Sequence, residues 1–480
     1  MAESATMSSS SPNQLFLGSF IHSVALGQLQ YLHNTAICVN SSGKIVAVKQ
    51  DCDRDTAEQT LLPQLGWALD SVTITTAQDG QFFFPGFIDT HVHAPQYPNV
   101  GIFGKSTLLD WLNTYTFPME SSMACLSKAR RVYSQCIRKS LSHGTTTASY
   151  FATIHVPATN LLADLCLSMG QRAFVGRVCM DQLAPDHYLD ESPEQSVSRT
   201  REVINHIQSV DPEYALITPI ITPRFAPSCS GQTMTALGEL QKETALPVQT
   251  HISENNNEIN LVKQQFPGIE TYTDVYDQHG LLTDKTILAH AIHLSESEAD
   301  LISQRQSKVA HCPCSNSSIT SGEARVRWLL EKGISVGLGT DMSGGYSPSI
   351  LEAARLASLV SNHLAMPGVK WPENATDEER NKVKLSVEEV LHLATRGGAE
   401  VVGLQDRIGG FDVGKEWDAQ LIKLNAVPEA EDGVGSEYGG NVDVFGWETW
   451  EERIAKWLYN GDDRNTSRVW VKGRLVHEKK

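Results

Sequence analysis

From Phe82 onward, short runs of apolar and β-branched residues alternate with longer stretches whose apolar residues recur every three or four positions. The runs are FFFPGFIDTHVH from Phe82, TTTASYF after Gly144, RAFVGRVCM from Arg172, ALITPIITPRF from Ala215, LPVQTHIS from Leu246, TILAH from Thr286, KVAHC from Lys308 and ISVGLGTD from Ile334. Between them lie helix patterns such as SKARRVYSQCIRKSL, NLLADLCLSMG and PSILEAARLASLVSNHL. Strands that alternate with helices build a parallel sheet wrapped by those helices. Eight such runs predict an α/β fold, a (β/α)8 barrel of TIM type. The competing architecture is an open doubly wound sheet, and no GxGxxG turn follows an early strand here.

The flanks have a different texture. LFLGSFIHSV and TAICVNSSGKIVAV on one side, and WDAQLIKL and RVWVKGRLV on the other, read as strands separated by turn residues. Residues 15–84 and 409–480 are therefore expected to pair into one small composite β-sandwich, with the barrel at 85–408. The Ser-rich start, 1–14, lacks the basic end and apolar core of a secretory signal and is expected to be a disordered lead. The Gly- and acid-rich stretch 425–441 is expected to be a loop.

Charge and cysteine usage exclude whole classes of function. A net charge of −17, from 39 basic and 56 acidic residues, offers no general attraction to nucleic acid or to an anionic membrane. Nine scattered cysteines form no disulfide framework and point to a reducing, cytoplasmic address. No run approaches the roughly 18 apolar residues of a membrane span.

Catalytic side chains of a barrel sit where its strands end. The first run ends in His91 and His93, the fifth in His251, the sixth in His290 and the eighth in Asp341. Alternation along a strand points His91 and His93 to one face and Val92 to the other. Three or four convergent ligands of this kind suit zinc. Taken singly, His251 and His290 also read as capping or core histidines, and Asp341 as the residue ordering a glycine-rich turn. Glu254, three residues after His251, is the candidate proton carrier; a solvated loop glutamate is the plainer reading. Arg224 and Phe225 add a planar donor fork and an aromatic face at the end of the fourth run. Cys312 and Cys314 are spaced Cys-Pro-Cys, so they fail the PCxxC zinc-deaminase signature and are expected to be structural. His311 is expected to support the metal ligands from behind, and His143, His279 and His293 to be structural.

The stretches PGFIDTHVHAPQY, TPRFAPSC, QTHISEN, LAHAIHLSESE, AHCPCSNSSITSG and GLGTDMSGGYS together resemble the guanine deaminases of the amidohydrolase superfamily, over almost the whole chain. The resemblance implies one zinc held by His91, His93, His251 and Asp341, with His290 bonding to the activated water or the tetrahedral centre. No lysine accompanies TPRF, so a bridging carbamylated lysine has no counterpart. The resemblance further implies Glu254 as proton relay, Asp341 as assisting base, Gln96 and Arg224 as hydrogen-bonding partners of the purine, and Phe225 as pocket wall. Guanine would be converted to xanthine and ammonia by a homodimer, with no nucleic-acid or membrane partner. Thr250 stands where relatives are expected to carry serine. Two alternatives stay open: an aminohydrolase or chlorohydrolase acting on 8-oxoguanine or a triazine, and an inactive scaffold that has kept the barrel.

Overall fold

The computed structural model describes residues 12–368, 371–372, 374–427 and 440–479. Parallel strands form at all eight runs: β1 (Phe87–His93), β2 (Thr145–Phe151), β3 (Arg172–Gly176), β4 (Ile217–Pro219), β5 (Val248–Ile252), β6 (Thr286–His290), β7 (Lys308–His311) and β8 (Val336–Leu338). Hydrogen bonds join β1 to β4 in one parallel set and β5 to β8 in another. Two seams close these sets into the barrel. At one, Ile221 bridges Val248, and Gln249 N donates to the Ile221 carbonyl at 3.0 Å. At the other, the Thr90 hydroxyl donates to the Leu338 carbonyl and Asp341 N donates to the His91 carbonyl, both at 2.9 Å.

Three runs, the first, third and fourth, are divided in the fold. The first splits at Gly86: Gln81–Pro85 joins the flanking sheet, and β1 opens the barrel. A Cβ at position 86 would lie 2.1 Å from Thr146 Oγ1, so the chain changes sheets where only glycine fits. In the fourth run, Pro219 and Pro223 cannot donate to a ladder, and the short strand Thr222–Pro223 pairs separately with Val178–Cys179.

Side-chain direction sorts the core, and a register shift in β1 between Asp89 and Val92 sends Ile88 and Val92 to opposite faces. Ile88, Phe174, Ile220, Ile287, Ala289 and Ala310 fill the barrel interior beneath the mouth. Val92 faces outward into a cluster with Val132, Tyr133 and Ile137 of the helix Leu126–Ser142, whose buried residues recur at helical spacing.

Both flanks contribute to one eight-stranded sheet, in which Gln81–Pro85 lies between Asn13–Ala25 and Ala419–Lys423. Phe16 from the first flank stacks on Trp417 from the second at 4.2 Å, with Phe83 and Trp470 edge-on at 5.6 and 5.3 Å. The first strand begins at Asn13, and Gln14 Nε2 donates to the Gly473 carbonyl at 2.8 Å, so Asn13 and Gln14 belong to the sheet and not to a lead. The expected lead, up to residue 11, and the centre of the expected 425–441 loop, 428–439, lie outside the described residues. Asn425–Ala426 pairs with Asp443–Val444.

A buried ion cluster ties the flanking sheet to the barrel. Arg172, at the start of β3, donates to both Asp418 oxygens at 3.2 Å and to Glu416 at 2.6 Å, and all three side chains are buried. Removing Arg172 leaves Asp418 buried without its counter-charge and leaves Glu416 with Arg407 alone. Arg172→Ala is therefore expected to lower unfolding stability by about 3–5 kcal/mol. Denaturant titration followed by tryptophan fluorescence checks this, and an unchanged midpoint would show that the cluster contributes nothing.

Candidate active site

The ends of β1, β5 and β8 bring His91, His93, His251 and Asp341 together, with one ligand atom of each lying within 4.8 Å of the others. Asp341 Oδ1 lies 3.2 Å from His91 Nε2 and 3.3 Å from His93 Nε2, while His93 Nε2 and His251 Nε2 face each other at 3.2 Å. His251 Nδ1 lies 2.6 Å from the Arg224 carbonyl, which can only accept, so the proton sits on Nδ1 and the Nε2 lone pair is left free. Burial holds all three imidazoles below the usual histidine range and hence neutral. Burial alone would raise the Asp341 carboxyl, but His91, then His290 and His251, pull it well below the ordinary carboxylate range. Neutral imidazoles converging on an ionised carboxylate form the donor set of a divalent metal site, and the buried His91 Nε2 has no hydrogen-bond partner of its own.

Backbone geometry aims these groups. Ser253, His290, Ala291 and Asp341 adopt φ of +47°, +74°, +50° and +44°, a left-handed conformation that few non-glycine residues adopt. The strands thus bend sharply where the site begins.

His290 belongs to the site but not to the ligand cluster. Its Nδ1 lies 2.9 Å from Asn316 Oδ1, and its Nε2 lies 3.4 Å from Glu254 Oε2 and 3.8 Å from Asp341 Oδ2. Burial would lower its pKa, yet the two carboxylates outweigh that and raise it. Glu254 is 2% exposed, which rules out the solvated-loop reading. Burial pushes its carboxyl up to about 7, against the opposing pull of His290, and the Ser321 hydroxyl donates to its Oε1 at 3.0 Å. The carboxyl group can therefore both take up and release a proton near neutrality.

Beside the cluster lies a small cavity lined by His93, Gln96, Arg224, Phe225, His251, Glu254, His290 and Asp341, with Leu108, Trp111, Leu112 and Ile319 as apolar walls. Every site residue named for metal, catalysis or substrate lines this one space except His91, which belongs to the ligand cluster but not to the lining. Arg224 forms a two-bonded pair with Glu120, at 2.6 and 3.2 Å.

Sequence reasoning missed several contributors. Glu120, in TFPMESS, belongs to a short helix after β1 and carries no pattern that marks it. Leu108, Trp111 and Leu112 come from the same long excursion. Asn316 and Ser321 lie in the quoted stretch AHCPCSNSSITSG, where cysteines drew attention ahead of polar residues that reach the site. Asp89, two residues before His91, accepts from Thr340 N and Oγ1 at 3.0 and 2.5 Å and so pins β1 to the approach of Asp341.

His311 faces away from the metal cluster. It lines a separate outer cavity with Trp328, Leu364 and Trp371, because alternation along β7 sends its neighbour Ala310 inward instead. Cys312 and Cys314 are buried free thiols whose pKa values burial pushes up. His143 ends the helix Leu126–Ser142, His279 ends the helix Tyr272–Gln278, and His293 Nε2 contacts the Ser321 carbonyl at 2.9 Å. None of the three joins the cluster.

The Amidohydrolase family signature spans residues 82–476. A probable guanine deaminase of Schizosaccharomyces pombe is 48% identical over 462 residues, covering 96% of this chain and 83% of the relative. The guanine deaminase of Homo sapiens is 40% identical over 462 residues, 96% of each chain. The solved guanine deaminase from C. acetobutylicum with guanine bound in the active site aligns at a TM-score of 0.82 and 32% identity, over 97% of this chain and 100% of that one. This chain belongs to the amidohydrolase family, among its guanine deaminases.

Proposed function

We propose that the protein hydrolyses guanine to xanthine and ammonia at a single zinc ion held by His91, His93, His251 and Asp341. The observation that carries this reading is one cavity lined by the carboxyl of Glu254, the guanidinium of Arg224 and three of those four ligand candidates, with His91 clustered beside them. A divalent ion bound there would supply Lewis acidity and lower the pKa of water toward about 7.

The chain's own groups carry the remaining chemistry. Glu254 accepts a proton from the attacking water and delivers it to a ring nitrogen as C2 becomes tetrahedral; the second proton of that water, left on the new C2 hydroxyl, then passes by way of Glu254 to the amine as the C2–N bond breaks and the C2 carbonyl forms. One water enters and one ammonia leaves. His290, with Nε2 between the Glu254 and Asp341 oxygens, orients the water and the developing tetrahedral centre, and Asp341 assists as base. Arg224 and Gln96 bond the purine edge, Phe225 lies against the ring, and the apolar walls exclude bulk water.

The pocket chemistry favours guanine over adenine. Guanine presents O6 and N7 as adjacent acceptors, whereas adenine replaces O6 with an amino donor that would oppose a guanidinium. Adenine also carries hydrogen at C2, so no amine is there to expel. The inactive-scaffold reading is disfavoured by a complete ligand set. Nine cysteines, all free, support a reducing cytoplasmic address, and among the described residues no helix is long and apolar enough to cross a membrane. A homodimer completes the proposal on family resemblance, to be checked by light scattering.

Three measurements test the reading. Metal analysis is expected to find one zinc per chain, with activity lost on chelation and restored by zinc; full turnover by metal-free protein would refute it. Ammonia release is expected from guanine and not from adenine, with discrimination of about 10⁴ or more, and Arg224→Ala is expected to lose guanine efficiency while keeping its metal; comparable adenine turnover, or unchanged guanine kinetics in Arg224→Ala, counts against the assignment. Because Glu254 titrates near 7 and must be ionised to take a proton, kcat/KM is expected to fall as pH drops below that value. Glu254→Gln is expected to lose at least about a hundredfold in turnover with zinc retained, and to lose that acidic limb.

A further inference from the structure

Glu120 is fully buried, and its two oxygens accept from four donors. Oε1 takes Gln96 Nε2 at 2.7 Å and Arg224 Nη2 at 3.2 Å; Oε2 takes Arg224 Nη1 at 2.6 Å and the Tyr188 hydroxyl at 2.9 Å. Arg224 and Gln96 are the two polar residues assigned to the purine edge, and both are held by this one carboxylate. The guanidinium is further confined by Phe117, whose ring centroid lies 5.3 Å from Cζ. The Gln96 amide is fixed at both ends, since its Oε1 accepts from Ser343 N at 3.3 Å.

Donor counting shows what this accomplishes. A guanidinium has five N–H groups in a rigid plane, and a two-bonded carboxylate fixes both the plane and which two donors are consumed. The remaining three are available to a ligand in the cavity that Arg224 lines. Without Glu120, the guanidinium could turn about its stem and lose its register with two adjacent acceptors. From this geometry we infer that Glu120 is the positioning residue for guanine recognition, holding Arg224 and Gln96 so that their unused donors meet the acceptor edge of the base. The inference rests on guanine being the substrate, and it deepens that reading by separating recognition of O6 from the chemistry at C2.

The test compares Glu120→Gln and Glu120→Asp with the unmutated enzyme on guanine and on 2-aminopurine, which keeps the C2 amine and lacks O6. Glutamine is nearly isosteric but replaces one acceptor with an amino donor that must oppose Arg224, Tyr188 or Gln96. In E120Q, the guanine KM is expected to rise at least about tenfold with kcat within about threefold, as for loss of uniform binding. Metal content is expected to stay within about twofold, and the 2-aminopurine Kd, read from its fluorescence, is expected to rise by clearly less than the guanine KM, since that ligand keeps N7 but never used the O6 contact. E120D keeps two acceptor oxygens one methylene further back and is expected to recover part of the guanine affinity with the same selectivity for guanine over 2-aminopurine; it decides the matter should E120Q fail to hold metal. Equal weakening of both ligands in the variant that retains metal, or an unchanged guanine KM, would overturn the inference while leaving the substrate reading intact. Unmutated protein that leaves guanine untouched would overturn both.

Discussion

Keeping several charged groups dry within a few ångströms of one another is the constraint on which the rest of this structure depends. Asp341, Glu254, Glu120 and Asp89 are all buried at the barrel mouth beside four imidazoles. An isolated ionised carboxylate in such a place would cost several kcal/mol even after relaxation. Each is therefore matched to its own partners: the imidazoles of His91 and His93 beside Asp341, Ser321 donating to Glu254, Arg224, Gln96 and Tyr188 to Glu120, and Thr340 to Asp89. The barrel makes this matching possible because its strand ends converge from different points of the chain.

Different donor sets turn chemically similar groups into different tools. Glu254, with one hydroxyl donor, has its pKa pushed to about 7, whereas Asp341, among imidazoles, is driven well below the ordinary range. Environments that push two carboxyl groups apart in this way assign them separate roles, one exchanging protons and one remaining an anion able to hold a cation. The supporting residues act at one remove. Asn316 sets the orientation of His290, and the Arg224 carbonyl sets that of His251, so the segment that offers the guanidinium to a ligand also orients a metal-ligand candidate.

Flank and barrel are linked by the same principle. Arg172 enters the junction as a buried cation with two carboxylates from the second flank, while Phe16 and Trp417 supply an apolar contact between the two flanks. At the opposite end the barrel carries left-handed residues at Ser253, His290 and Asp341, where the surrounding strands fix the positions of the strand ends.

Patterns local in sequence were enough to determine the eight strands, the alternation that puts His91 and His93 on one face with Val92 on the other, and the set of strand-end residues that meet at the mouth. Each depends on the periodicity of a single strand or on the rule that barrel chemistry collects at one face. Tertiary structure alone decided where the first run divides at Gly86, that His311 faces an outer cavity, and that Glu120 joins Arg224 across 104 residues of sequence. Glu120 sits in an irregular excursion where no period distinguishes a buried carboxylate from a solvated one. Its environment exists only once β1 and the end of the fourth run have come together, because desolvation and hydrogen-bond matching are properties of groups that are neighbours in space and distant along the chain.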